Sequence, residues 1–71
     1  MKIERLIKMA NDIGDFFNAE SNKEIAAEGI TKHILRSWDP RMRRAIIAYN
    51  KQDGSALNDL VRKAISRLEQ V

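Results

Sequence analysis

The sequence predicts an all-α protein, a small bundle of about four short helices formed by residues 1–71 as one domain. Three observations predict it. Apolar residues recur at three- and four-residue spacing along most of the chain. No segment alternates apolar and polar residues with period two. The one proline and three glycines stand singly, as punctuation rather than as linkers.

The first helix is expected from about Lys2 to Ala19. Ile3, Leu6, Ile7, Ala10, Ile13 and Phe17 mark one face, while Lys2, Arg5, Lys8, Asn11, Asp12 and Asp15 fill the others. Met9 and Phe16 lie beside that stripe and give the helix a second apolar flank. Ser21-Asn22-Lys23-Glu24 has the capping-box pattern, so a second helix should begin at Ser21. Its apolar side is Ala26, Ala27, Ile30, Ile34, Leu35 and Trp38, and Glu28 with Lys32 at i,i+4 supports its wet side. Gly14 and Gly29 fall inside these helices at about 1 kcal/mol each relative to alanine, which points to close helix approach.

Asp39-Pro40 ends one helix and starts the next. Pro40 disfavours the helical region for Asp39, suits the first position of a new helix, and leaves Asp39 free to cap it. The third helix should run from Pro40 to about Lys51 on the stripe Met42, Ala45, Ile46 and Tyr49. Gln52-Asp53-Gly54 then stops it, with glycine in the left-handed conformation. Ser55 or, better, Asn58 caps a last helix whose stripe is Leu57, Leu60, Val61, Ala64, Ile65 and Leu68.

Composition narrows the function classes. With 71 residues, the fold hides only about 60% of the surface the unfolded chain exposes. Its stability is expected on the order of 4 to 11 kcal/mol. Domains of this size usually need a staple or a partner. The absence of cysteine removes disulfides, thiolate metal sites and Fe–S ligation, and one histidine cannot build a His-rich zinc site. No apolar run has the length of a membrane span and the charged first residues are not followed by a signal-type core, so a cytoplasmic location is expected. The 13 Lys and Arg against 10 Asp and Glu leave a net charge of only +3.

The basic excess is concentrated between Lys32 and Arg44. Arg41, Arg43 and Arg44 fall in the first turns of the third helix, where the macrodipole disfavours each cation by a few tenths to about 1 kcal/mol. Two readings follow from residue chemistry. In one, His33, Arg36, Trp38, Asp39, Pro40, Arg41, Met42, Arg43 and Arg44 form a docking patch with Trp38 as its anchor. In the other, Trp38 is core, nearby acids neutralise Arg41 and Arg43, and the guanidinium of Arg36 or Arg41 stacks on the indole. His33 alone fits a hydrogen-bonded structural role better than a metal ligand or proton carrier. No carboxylate pair, phosphate loop or calcium loop is present, so catalytic, cofactor-binding and metal residues are expected to be absent. A small helix-turn-helix-like DNA-binding or homo-oligomeric protein is the alternative to a docking subunit. The alternative is weaker because the third helix leaves few polar side chains for base edges and acids dilute the positive field. Acids on every wet face likewise argue against a membrane surface.

Four segments carry a resemblance. Lys8-Met9-Ala10-Asn11-Asp12-Ile13-Gly14-Asp15-Phe16-Phe17, Glu28-Gly29-Ile30-Thr31-Lys32-His33-Ile34, Trp38-Asp39-Pro40-Arg41-Met42-Arg43, and Leu57 with Leu60-Val61 resemble, in order, the delta subunit of cytoplasmic NAD-dependent formate dehydrogenases. The Trp-Asp-Pro-Arg-Met-Arg block is the most specific of them. Members of that family often carry an aromatic residue where Ser37 stands and a proline where Asp59 stands. The resemblance implies a non-catalytic accessory subunit associated with the molybdenum- or tungsten-containing alpha subunit, supporting assembly or stability of the enzyme. The complex it implies carries molybdopterin, Fe–S clusters, FMN and NAD, none of them bound by this chain. In isolation, self-association through Met9 and Phe16 is a further expectation.

Overall fold

The computed structural model describes residues 1–71. Its elements are α1 (Ile3–Phe17), α2 (Lys23–Ser37), α3 (Pro40–Gln52) and α4 (Asp59–Leu68), with no strand. The sequence pattern therefore places all four helices, with ends shifted by one or two residues, as helix boundaries commonly are.

Cap chemistry explains where the helices start. Asn22, in an extended conformation, accepts through Oδ1 from the amides of Glu24 and Ile25 at 3.0 and 3.2 Å. The expected Ser21 capping box does not form, because Asn22 is already the cap and Glu24 is drawn elsewhere. Lys63 and Arg67 of α4 both pair with the Glu24 carboxylate, and Arg67 Nη1 also donates to the Glu24 carbonyl at 3.2 Å. Asp39 caps α3 as expected, accepting from the Met42 amide at 3.0 Å, with Pro40 in the first turn. Asn58 occupies the cap position of α4, but its side chain makes no capping bond. Its amide donates instead to Asn11 Oδ1 at 3.1 Å. Gly54 closes α3 with φ +69°.

One core of 12 residues draws on every helix. Leu6 and Ala10 come from α1, Ala27, Ile30 and Ile34 from α2, Ile46 from α3, and Val61, Ala64, Ile65 and Leu68 from α4. Trp38 and Leu57 join it from the connections. The principal packing partners are α2 with α4, while α1 and α3 each pack on α4 and on one another. Consecutive helices α2 and α3 pack little on each other, and each packs on both α1 and α4.

Small residues set the closest approaches. A Cβ at Gly14 would lie 2.4 Å from Val61 Cγ2, and one at Gly29 would lie 2.5 Å from Phe17 Cε1. Both interior glycines are thus close-approach positions. Where α2 meets α4, the Thr31 hydroxyl, 7% exposed, shares its proton between the carbonyls of Ala27 on its own helix and Ala64 on α4, each at 3.0 Å. That hydroxyl can reach across because Ala27 and Ala64 keep the two backbones near. No buried side-chain nitrogen or oxygen lacks a partner, and no helix is long and apolar enough to cross a membrane.

Candidate functional site at the corner between α2 and α3

Residues 36 to 44 form a corner. Trp38 and Asp39 are both extended, with φ/ψ of −96°/137° and −72°/166°, and this carries the chain from the end of α2 into α3. The Trp38 amide donates to the Ile34 carbonyl at 2.9 Å. Its indole turns inward and is only 4% exposed, in the core. The expectation of Trp38 as an outward anchor does not fit this burial. The ring underpins the corner from below.

The arginines divide into two kinds. Arg43 is half-buried and its Nη1 donates to the Trp38 carbonyl at 2.6 Å. A cation at the C-terminus of α2 is favourable, so this contact offsets the unfavourable position of Arg43 at the start of α3. Arg36 is exposed in the last turn of α2, where the dipole likewise favours it. Arg41 and Arg44 are exposed at the start of α3 with no such compensation. The ion pairs of the molecule are Lys8–Asp12, Lys32–Glu28, Lys51–Glu69, Lys63–Glu24 and Arg67–Glu24. None involves Arg36, Arg41, Arg43 or Arg44, and Asp39 is occupied by its capping bond. The neutralisation of Arg41 and Arg43 by nearby acids, one of the two readings of the sequence, does not occur.

Apolar residues border the corner on both sides. Asp39, Arg41 and Met42 line a shallow depression with Met1, Leu6 and Ala45. Pro40, Arg43 and Arg44 line another with Leu35, Ile47, Leu68, Val71 and Glu69, whose carboxylate pairs with Lys51. His33 belongs to neither. It packs edge-on against Phe17, ring centroids 6.4 Å apart, in a third depression with Asp12, Ile13 and Phe16. The structure thus brings together eight of the nine candidate residues around one corner and separates His33 from them. Phe16, on the expected apolar flank of α1, is 75% exposed, whereas Met9 packs against the edge of the core.

Two tethers were not singled out from the sequence. Asn11 Nδ2 donates to the Ala56 carbonyl at 2.9 Å while its Oδ1 accepts from Asn58, so one side chain holds the α3–α4 connection from α1. The Tyr49 hydroxyl accepts from the Ala56 amide at 2.9 Å. Neither has a local signal, since Asn11 stands among the polar residues of α1 and its partners lie in a connection 45 and 47 residues away. No three His, Asp or Glu side chains gather as a metal site requires.

No curated protein and no solved structure matches the chain. Residues 5–65 match a protein family described as the NADH-dependent formate dehydrogenase delta subunit FdsD. That span contains the Asn11 tether, both interior glycines and the whole corner from Arg36 to Arg44. The chain therefore belongs to the formate dehydrogenase delta subunit family.

Proposed function

We propose that the chain is a non-catalytic, cytoplasmic accessory subunit that binds the large molybdopterin-containing alpha subunit of an NAD-dependent formate dehydrogenase and supports assembly or stability of the active enzyme. Family membership supports a place in that complex. The observation that supports docking is the set of exposed guanidinium groups at the corner, Arg36, Arg41 and Arg44, without a carboxylate partner in the chain. Arginine's planar fork suits carboxylates on another protein.

Molybdopterin, Fe–S clusters, FMN and NAD belong, in this reading, to the other subunits. The absence of cysteine supports leaving the clusters to those subunits.

The test is co-purification. A tagged chain expressed with the other subunits is expected to recover the alpha subunit. Cells lacking the chain are expected to yield less alpha subunit, with less molybdopterin per subunit and less formate-dependent NADH formation. Full assembly and activity without the chain, together with failure to recover the alpha subunit, would overturn the proposal.

The 75% exposure of Phe16, at a depression with Ile13, Phe17 and His33, favours one further reading for the isolated chain, which is self-association. A concentration-independent monomer mass by light scattering would remove it.

A further inference from the structure

We infer that the outward face of α3 docks against an acidic protein surface, with Arg41 and Arg44 as its ionic contacts and Ala48 as the point of close approach. The inference rests on the reading of the chain as a subunit of a larger complex, and it names the face and its partner's chemistry.

Helix α3 contains no acidic residue and four cations, Arg41, Arg43, Arg44 and Lys51. Two of these are engaged within the fold. Arg43 caps the Trp38 carbonyl, and Lys51 pairs with Glu69 at 2.7 Å. Arg41 and Arg44 are left, both exposed and in no ion pair, at a helix start whose dipole disfavours them. At 3.6 residues per turn, Arg41, Arg44, Ala48 and Lys51 project into one arc of about 80°. All four are exposed. The opposite side of the helix is fixed by Ile46, fully buried, with Met42, Ala45 and Tyr49 packed beside it. The arc is therefore a rigid basic stripe with a small residue at its middle, where another backbone can approach closely.

Charge complementarity selects carboxylates on a protein over a nucleic-acid backbone. Only two cations on the stripe are free, whereas phosphate-backbone binding draws on several cations along a continuous line. Asp39 stands at the start of the stripe, and the Lys51–Glu69 pair leaves its other end without a free positive charge, so the stripe is too short for such a line. Two guanidinium forks one turn apart match carboxylates at similar spacing on a helix or loop.

The experiment measures binding of the purified chain to the formate dehydrogenase complex isolated from cells lacking it. The R41E/R44E variant is expected to bind about tenfold more weakly or worse, and A48W severalfold more weakly. A charge-matched control on α1, K2E/R5E, is expected to bind within about twofold of the unaltered chain. Circular dichroism checks helicity, and R41Q/R44Q replaces any reversal variant that unfolds, with a smaller loss expected.

Equal binding by the Arg41/Arg44 variants and A48W would overturn the docking face while leaving the subunit reading intact. Equal loss in K2E/R5E would also overturn it, since charge alone would then suffice. Failure of the unaltered chain to bind the complex would overturn the subunit reading and this inference with it. Tighter binding of the unaltered chain to a 30-base-pair DNA duplex than to the complex, lost in R41E/R44E, would reassign the stripe to nucleic acid.

Discussion

The two ends of α2 meet basic side chains in opposite ways. At the first turn, Lys63 and Arg67 converge on Glu24 and tie α2 to α4. At the last turn, Arg36 and the neighbouring Arg41 and Arg44 form no ion pair. Residue type does not distinguish the two ends, because both are rich in cations. The difference is whether the fold supplies an acid. Where it does, charge contributes to the structure; where it does not, charge remains available to something outside the chain.

Replacing Trp38 gives the largest expected effect and separates the corner's foundation from its surface. Trp38→Ala should lower stability by about 3–5 kcal/mol, as truncation of a buried aromatic does. Against a total on the order of 4 to 11 kcal/mol, that is a large share of the stability of the fold. An unchanged urea midpoint would show that the indole is not a core element. Asn11→Ala comes next, at about 1–2 kcal/mol, since it leaves the Asn58 amide without its acceptor and frees the connection before α4. Hydrogen exchange should increase around Ala56 to Asn58 first; protection there equal to the unaltered chain would contradict the tether.

Glu24→Gln probes the paired end. Both partners are partly exposed, so the expected loss is roughly 0.5–1 kcal/mol and should shrink in high salt. A loss independent of salt would point to packing rather than charge. The smallest expected effect belongs to the unpaired end. Arg41→Gln with Arg44→Gln should change stability by less than about 0.5 kcal/mol, or raise it slightly by relieving the α3 dipole. Destabilisation beyond about 1 kcal/mol would mean that these arginines hold the fold, and the contrast between the two ends would collapse.

The helices were legible because their signals are local. Asp39-Pro40 and Gly54 act through their own backbone preferences, and the Met42, Ala45, Ile46 and Tyr49 stripe repeats within α3. Glu24 shows the limit of such signals. Its spacing from Ser21 matches a capping box, but its partners are Lys63 and Arg67, 39 and 43 residues away in sequence, and only tertiary packing brings them near. Arg43 is a milder case, since it lies five residues beyond Trp38 and only the extended corner turns it onto that carbonyl. His33 lies near the arginines along α2, but nearness along a helix does not fix the face, and its ring packs edge-on against Phe17 of α1. Thr31 reads in sequence as an ordinary helical threonine. Its second acceptor, the Ala64 carbonyl, exists only once α4 has docked.

The Arg43 contact with the Trp38 carbonyl has a consequence for the entropy of association. It fastens the start of α3 to the end of α2. The buried indole beneath and the Asp39 cap above fix the same two residues. The backbone that carries Arg41 and Arg44 is therefore already ordered before any partner arrives. Binding would have to immobilise only two long side chains, at roughly 0.5–1.5 kcal/mol each, rather than fold a segment. A short helix prepared in this way can give a chain of 71 residues a specific contact through very little surface.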